Sequence, residues 1–140
     1  RAIAASLTEQ DMADLGAYYA QHGKAEGAPE LPPTPSKVPS EKVAALLAKS
    51  ACVACHGANF SKPLDVSQPK LAGQYKDYLY VALKSYKTEG NAKVGRSNGV
   101  MGGIAKQLSL ADMKELAGYI SSLEGDLKTV PQSKMHKPHQ

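Results

Sequence analysis

The chain has 140 residues, 42% of them hydrophobic, which is enough for one compact core with flanking segments and excludes a large multi-domain enzyme. The formal net charge of +4 indicates a modest basic surface, without the dense Lys/Arg clustering of a nucleic-acid-binding protein. Such a surface favours docking on acidic partners, with an ordinary solvated surface as the alternative. The longest apolar stretches, such as residues 43–47, are far shorter than the ~20 residues of a membrane span.

The first predicted helix lies near the start of the chain. Thr8 and Asp11 have the spacing of a capping box, and they precede apolar positions at Met12, Leu15, Tyr18 and Tyr19. This pattern predicts an amphipathic helix whose apolar side needs a partner surface.

A proline-rich segment follows this helix. It contains Pro29, Pro32, Pro33, Pro35 and Pro39. Such a composition predicts a semi-rigid, extended spacer.

Two further helices are predicted on either side of a cysteine-bearing segment. Ser40 can cap the first, whose apolar positions are Val43, Leu46, Leu47 and Ala51. The second begins after Gly73, and its broad apolar and aromatic stripe comprises Tyr75, Tyr78, Leu79, Ala82, Leu83 and Tyr86.

The last predicted helix is framed by Ser109 and Asp112 in a capping-box spacing. Its predicted buried face comprises Leu110, Met113, Leu116, Ala117, Ile120 and Leu123. This region repeats the start of the chain at a constant offset of 101 residues, the separation of Asp11 from Asp112. The other matching pairs are Ile3/Ile104, Ala4/Ala105, Leu7/Leu108, Met12/Met113, Leu15/Leu116 and Tyr18/Tyr119. Agreement of polar, apolar and aromatic positions in one register favours duplication over chance similarity.

The cysteine-bearing segment reads Cys52-Val53-Ala54-Cys55-His56, a C-x-x-C-H motif. This is the attachment signature of a c-type haem. On one helical turn the two thiols can reach the two vinyl groups of a single porphyrin as thioethers, while the adjacent imidazole is directed at the iron from the same side. The motif therefore favours one covalently bound haem c.

Three other interpretations of these cysteines are weaker. A structural zinc site needs two more ligands, and the remaining histidines, His22, His136 and His139, lack metal-type spacing. A thioredoxin-like dithiol lies where a strand meets a helix, and no strand is predicted here. A simple disulfide leaves His56 unexplained.

A haem iron ligated by His56 needs a second axial ligand, and four methionines are available. Met12 and Met113 lie on the inward stripes of the repeated helices, which indicates core packing, and Met135 lies in the tail. Met101 lies in a glycine-rich segment, residues 98–103, predicted as a loop that lets the backbone approach the porphyrin closely. Met101 is the predicted sixth ligand, with an ordinary surface methionine as the alternative.

These motifs together resemble the class I cytochromes c, most closely the small bacterial members, the two-haem c4-type proteins and the flavocytochrome subunits. The resemblance covers about residues 40–124 and is carried by residues 52–56, 69–74, 78–79, 98–101 and 112–119. It implies an all-α class I cytochrome c fold around one covalent haem.

The resemblance also implies roles for individual residues. His56 and Met101 would be the axial pair, and the carbonyl of Pro69 would hold the ring N–H of His56. Tyr78, Leu79, Leu83 and Leu116 would line the haem pocket.

The implied function is one-electron transfer, because an iron with two protein ligands has no open position for substrate. No catalytic residue is assigned. An electron-accepting haem module of a larger dehydrogenase is the first alternative, and a haem sensor or peroxidase with a labile sixth ligand is the second. The implied partners are redox proteins with acidic docking surfaces, and the implied location is the periplasm, where haem ligation takes place in such bacterial proteins.

The predicted organisation has four parts. Residues 1–27 are a C-terminal helix remnant of an upstream cytochrome-like domain, and residues 28–39 are a proline-rich linker. Residues 40–124 are the cytochrome c domain, and residues 125–140 are a basic polar tail. Because the helix remnant lacks the domain on which it would pack, self-association through residues 3–19 is a further prediction.

Overall fold

The computed structural model describes residues 2–22, 30–88 and 95–126, and these form helices without a single strand. The helices are α1 (Ala2–Ala5), α2 (Glu9–His22), α3 (Glu41–Lys49), α4 (Cys52–His56), α5 (Lys76–Lys87), α6 (Gly99–Lys106) and α7 (Leu110–Ser122). The predicted all-α class is confirmed. Within these ranges no helix is both long and apolar enough to cross a membrane.

The chain divides into two compact units, Arg1–Glu30 and Leu31–Gln140. The first unit contains α1 and α2, and the second contains α3 to α7. The boundary falls inside the proline-rich segment. The predicted tail, residues 125–140, lies outside the described residues except for Gly125 and Asp126.

The core of the second unit forms where α5 packs against α6 and α7, and where α3 packs against α7. It consists of Val43, Leu47, Phe60, Ala72, Leu79, Ala105, Leu108, Met113, Leu116, Ala117, Ile120 and Leu123. The buried face predicted for α7 is thereby confirmed at five of its six positions. Leu110 is the exception, with 48% of its surface exposed. At 3.6 residues per turn Leu110 lies at the edge of the apolar stripe, so the helix turns it toward solvent.

The two repeated helices begin with the same capping box. In α2 the Thr8 backbone N–H donates to Asp11 Oδ2 at 2.8 Å, and the Asp11 N–H donates to Thr8 Oγ1 at 3.1 Å. In α7 Ser109 and Asp112 exchange the same two bonds, both at 3.0 Å. The cap hydroxyl group, and then the cap backbone N–H, hydrogen-bonds the carboxylate and favours its charged form, so the pKa of Asp11 and of Asp112 is lowered. Both predicted capping boxes are confirmed.

Equivalent methionines of the repeat differ in burial. Met113 is fully buried in the core of the second unit, whereas 48% of Met12 is exposed. The prediction that both pack in a core is therefore confirmed for Met113 and wrong for Met12. In the second unit α3 and α5 pack against α7 and cover its apolar face. The described residues of α1 and α2 provide no such cover for the face that carries Met12.

This contrast predicts unequal costs for the same substitution. Met113→Ala removes a fully buried side chain, so we expect it to lower the free energy of unfolding by about 2–5 kcal/mol. Met12→Ala should change it by about 0.5 kcal/mol or less, as a surface substitution does. Urea unfolding of both variants, followed by circular dichroism, measures the difference. Equal costs would contradict the burial seen at these two positions.

Residues 31–39 of the proline-rich segment belong to the second unit and are hydrogen-bonded to the rest of it. Three hydrogen bonds hold these residues: Asn59 Nδ2 to the Pro32 carbonyl (2.5 Å), Tyr119 Oη to the Lys37 carbonyl (2.9 Å) and the Glu124 N–H to Ser36 Oγ (2.8 Å). Residues 32–37 are therefore fixed on the surface of the second unit by these hydrogen bonds.

A candidate haem-attachment site

The two cysteines lie on a helix of a single turn. Ala51, in the left-handed region with φ +48°, separates α4 from α3, and Gly57 with φ +77° ends it. Cys52 and Cys55 are both half-buried, and neither forms a disulfide. Burial raises the pKa of the Cys52 thiol. A raised thiol pKa is the opposite of what a redox-active dithiol needs.

His56 is held in one orientation by the backbone. Its side chain is buried, and Nδ1 lies 3.0 Å from the carbonyl oxygen of Pro69. A carbonyl oxygen only accepts hydrogen bonds, so Nδ1 is the donor in this bond and Nε2 is the ring nitrogen left for another partner. The buried ring of Phe60 lies nearly parallel to the imidazole, with ring centroids 6.5 Å apart and an interplanar angle of 19°. The imidazole therefore presents one nitrogen that can bind a metal.

The loop after α4 is folded back so that its backbone reaches His56. The Phe60 carbonyl accepts from the N–H groups of Leu71 and Ala72 at 2.8 and 3.0 Å. The Leu64 N–H donates to the Cys55 carbonyl at 2.9 Å. These bonds fix the path of the segment that contains Pro69.

Gly57 and Asn59 shape the turn directly after His56. A Cβ atom at Gly57 would overlap the backbone carbonyl oxygen of Lys62. Asn59 Oδ1 accepts from the N–H groups of Ser61 and Lys62 at 2.9 and 3.0 Å. The turn is therefore tight enough to require glycine at its first position.

Gly57→Ala should disturb the site by way of the backbone. The alanine would have to adopt an unfavourable φ and push against Lys62, so we expect the free energy of unfolding to fall by about 2 kcal/mol or more. The matched control is Gly16→Ala in α2, where a Cβ atom meets nothing within 4 Å and helix propensity gains about 1 kcal/mol. Denaturant unfolding of both variants tests this, and a Gly57→Ala protein as stable as the parent would refute it.

Met101 does not lie in a loop, so that prediction is wrong. It lies in the first turn of α6, where its N–H donates to Oδ1 of Asn98, the N-cap residue, at 3.0 Å. The helix forms despite its glycines because it packs on α5, and a Cβ atom at Gly102 would lie 3.7 Å from the Tyr86 carbonyl. Met101 itself is half-buried.

The four residues suggested as pocket lining differ in exposure. Leu79 and Leu116 belong to the buried core, and Leu83 is half-buried against it. Tyr78 is 49% exposed. Phe60, which stacks on His56, was not predicted, although an aromatic residue four positions after the histidine was a readable signal.

These residues fit a c-type haem. The donor set combines two free thiols on one turn with an imidazole whose second nitrogen is already satisfied, as covalent attachment and iron ligation require. No group of three His, Cys, Asp or Glu side chains suited to a metal ion occurs within residues 2–22, 30–88 and 95–126. The part of the chain that the structure describes thus gives no support to a zinc site.

Comparison with known proteins agrees with this assignment. Residues 40–124 match the family model described as Cytochrome c. A thiosulfate dehydrogenase electron acceptor from Thiomonas intermedia (strain K12) is 38% identical over 93 residues, which are 66% of this chain and 41% of the relative. A cytochrome c4 from Thiocapsa roseopersicina is 30% identical over 129 residues, 86% of this chain and 63% of the relative.

A shorter relative matches a larger share of its own length. Cytochrome c-553 from Nitratidesulfovibrio vulgaris (strain DSM 19637 / Miyazaki F) is 39% identical over 73 residues, 52% of this chain and 70% of the relative. The chain spans 41% of the length of the thiosulfate dehydrogenase electron acceptor and 63% of the length of the cytochrome c4.

Proposed function

This chain belongs to the cytochrome c family and carries a c-type haem, and from that premise we propose that the protein passes single electrons with His56 and Met101 as the axial ligands of the iron. The observation that carries the proposal is the bond between His56 Nδ1 and the Pro69 carbonyl, next to two free thiols on the same turn. The bond leaves Nε2 of His56 as the ring nitrogen that would bind the iron.

The haem supplies a one-electron iron couple when bound, and the protein residues supply its attachment and surroundings. Cys52 and Cys55 would hold the porphyrin through thioether bonds, independently of the strength of the axial ligands. Phe60, Leu79 and Leu116 are buried, and they would exclude water from the core side of the bound haem. Tyr78 and Leu83 complete the proposed lining.

Met101 is the proposed sixth ligand because of where the four methionines of the chain lie. Met113 is fully buried in the core, and Met12 lies outside the residues that match the Cytochrome c family model. Met135 lies outside the described residues. Met101 is half-buried in the second unit, and its backbone is fixed by Asn98.

Optical spectra of the oxidised and reduced protein test the axial pair. We expect sharp reduced α and β bands, together with the weak long-wavelength band of a methionine–ferric bond. We also expect no rapid carbon monoxide binding to the reduced form, because both axial positions are filled. A haem spectrum without the weak band, with rapid carbon monoxide binding, would instead favour a sensor or peroxidase.

One relative favours a second candidate function, that of an electron-accepting module for a dehydrogenase. The relative named thiosulfate dehydrogenase electron acceptor matches 66% of this chain. The test is to mix the oxidised protein with a thiosulfate dehydrogenase and thiosulfate and to follow the reduced α band. Reduction at a rate that depends on enzyme concentration supports this role, and reduction no faster than by thiosulfate alone counts against it.

The proposed partners are redox proteins with acidic docking surfaces, encountered in the periplasm. The net charge of +4 supports such steering. If it operates, the rate of electron exchange falls as salt is raised from low to physiological ionic strength. A rate of electron exchange that does not change with salt would contradict docking through acidic partner surfaces.

The proposed domain organisation keeps the four parts predicted from the sequence, with self-association through residues 3–19. The exposure of Ile3 (83%), Met12 (48%) and Tyr19 (68%) supports an apolar contact of this kind. Sedimentation of the protein and of an Ile3→Lys variant over a range of concentrations tests it. A parent protein that stays monomeric at high concentration refutes self-association.

A further inference from the structure

Arg96 lies between two tyrosines of α5, five positions before Met101. Its guanidinium carbon lies 5.5 Å from the centroid of the Tyr78 ring and 5.6 Å from that of Tyr86. Nη2 donates to the Tyr78 hydroxyl oxygen at 2.9 Å, and the backbone N–H of Arg96 donates to the Ser85 carbonyl at 3.2 Å. One residue is thus joined to a single helix by a main-chain bond, a side-chain bond and two cation–π contacts.

These contacts fix the start of the segment that leads into α6. Asn98 follows Arg96 by two positions and caps α6 by accepting from the Met101 N–H. Leu79 in turn anchors α5 in the core. A continuous set of contacts therefore leads from the core through α5 and Arg96 to the backbone of Met101.

Tyr78 takes part in this set through its hydroxyl group. The side chain is 49% exposed, and its hydroxyl oxygen accepts the bond from Arg96. The guanidinium is a planar donor that stacks on aromatic rings while it donates in its own plane, which a lysine ammonium does not do. Arginine is therefore suited to a position between two rings of which one also offers an acceptor.

We propose that Arg96 is a positioning residue for the sixth axial ligand: its placement between Tyr78 and Tyr86 holds the Met101 segment against α5 and keeps the thioether at the iron. The inference rests on the axial pair proposed above. Arg96 does not touch the iron in this proposal and acts through the backbone that carries Met101.

The test uses the holoprotein with Arg96→Gln, Arg96→Lys and Tyr78→Phe. The matched control is Lys84→Gln, which removes one positive charge from the exposed surface of α5. Two measurements report on the ligand: the temperature at which the weak methionine–ferric band disappears, and the rate of carbon monoxide binding to the reduced protein. Circular dichroism gives the temperature of helix unfolding for each variant.

Arg96→Gln should lose the band at a lower temperature and bind carbon monoxide about tenfold faster, with helix unfolding unchanged. Arg96→Lys should restore part of the difference, and Tyr78→Phe should show a smaller loss because the ring remains. Lys84→Gln should match the parent.

Two results would overturn the inference while leaving the axial pair in place. In the first, Arg96→Gln behaves like Lys84→Gln. In the second, the band and the helices are lost at temperatures lowered by the same amount, which indicates general destabilisation. If the parent protein itself lacks the methionine–ferric band, Met101 is not the ligand. The axial pair proposed above then fails, and this inference fails with it.

Discussion

Replacing both Cys52 and Cys55 with serine is expected to abolish covalent haem attachment. Serine oxygen does not form the thioether bonds to the porphyrin vinyl groups, and the remaining axial ligands hold haem only by reversible coordination. Acidic acetone extracts haem that is not covalently bound, so extraction of the double variant should leave no haem on the polypeptide. The loss should be complete rather than partial.

Single variants provide the control for this experiment. Cys52→Ser and Cys55→Ser each keep one thiol on α4, so each can retain one thioether bond. The reduced α band of a singly attached haem should shift, because one vinyl group stays unsaturated. Covalent haem in the double variant would show that attachment takes place elsewhere, since these are the two cysteines of the chain.

Met101→Ala is expected to open the sixth coordination position. The reduced protein should bind carbon monoxide rapidly, the weak methionine–ferric band should vanish, and the reduction potential should fall. Because axial ligands set haem potentials over a range of about 0.8 V, we expect a fall on the order of 0.1 V. Spectroscopic titration and carbon monoxide mixing measure all three effects.

Met113→Leu is the matched control for this variant. It replaces a buried methionine with a side chain of similar volume, so the core should tolerate it and the iron should keep both ligands. If Met101→Ala retained the weak band, another sulfur would be the ligand, and Met135 would be the next residue to replace.

Features that depend on neighbours in sequence could be predicted from the sequence alone. The capping boxes at Thr8 and Ser109 need residues three positions apart, and both form as expected. The buried face of α7 follows from helical periodicity. The C-x-x-C-H motif is equally local, since attachment chemistry requires both thiols and the imidazole on one turn.

Features that depend on distant contacts were predicted less well. The glycines of residues 99–103 indicated a loop, but packing of α6 on α5 outweighs their poor helix propensity. Arg96 was missed because its partners, the two tyrosines of α5, lie elsewhere in the fold. Met12 was placed in a core because its helix pattern gives no information on whether a partner surface is present.

The acceptor that orients His56 is a main-chain carbonyl, and this has a consequence for mutational robustness. A single substitution at position 69 changes a side chain and leaves the carbonyl in place. Damage to the orientation of the imidazole should instead arise where the loop path is set, at Gly57 and Asn59. A random screen for haem-deficient variants should therefore yield hits in the turn that shapes the loop, while position 69 tolerates many replacements.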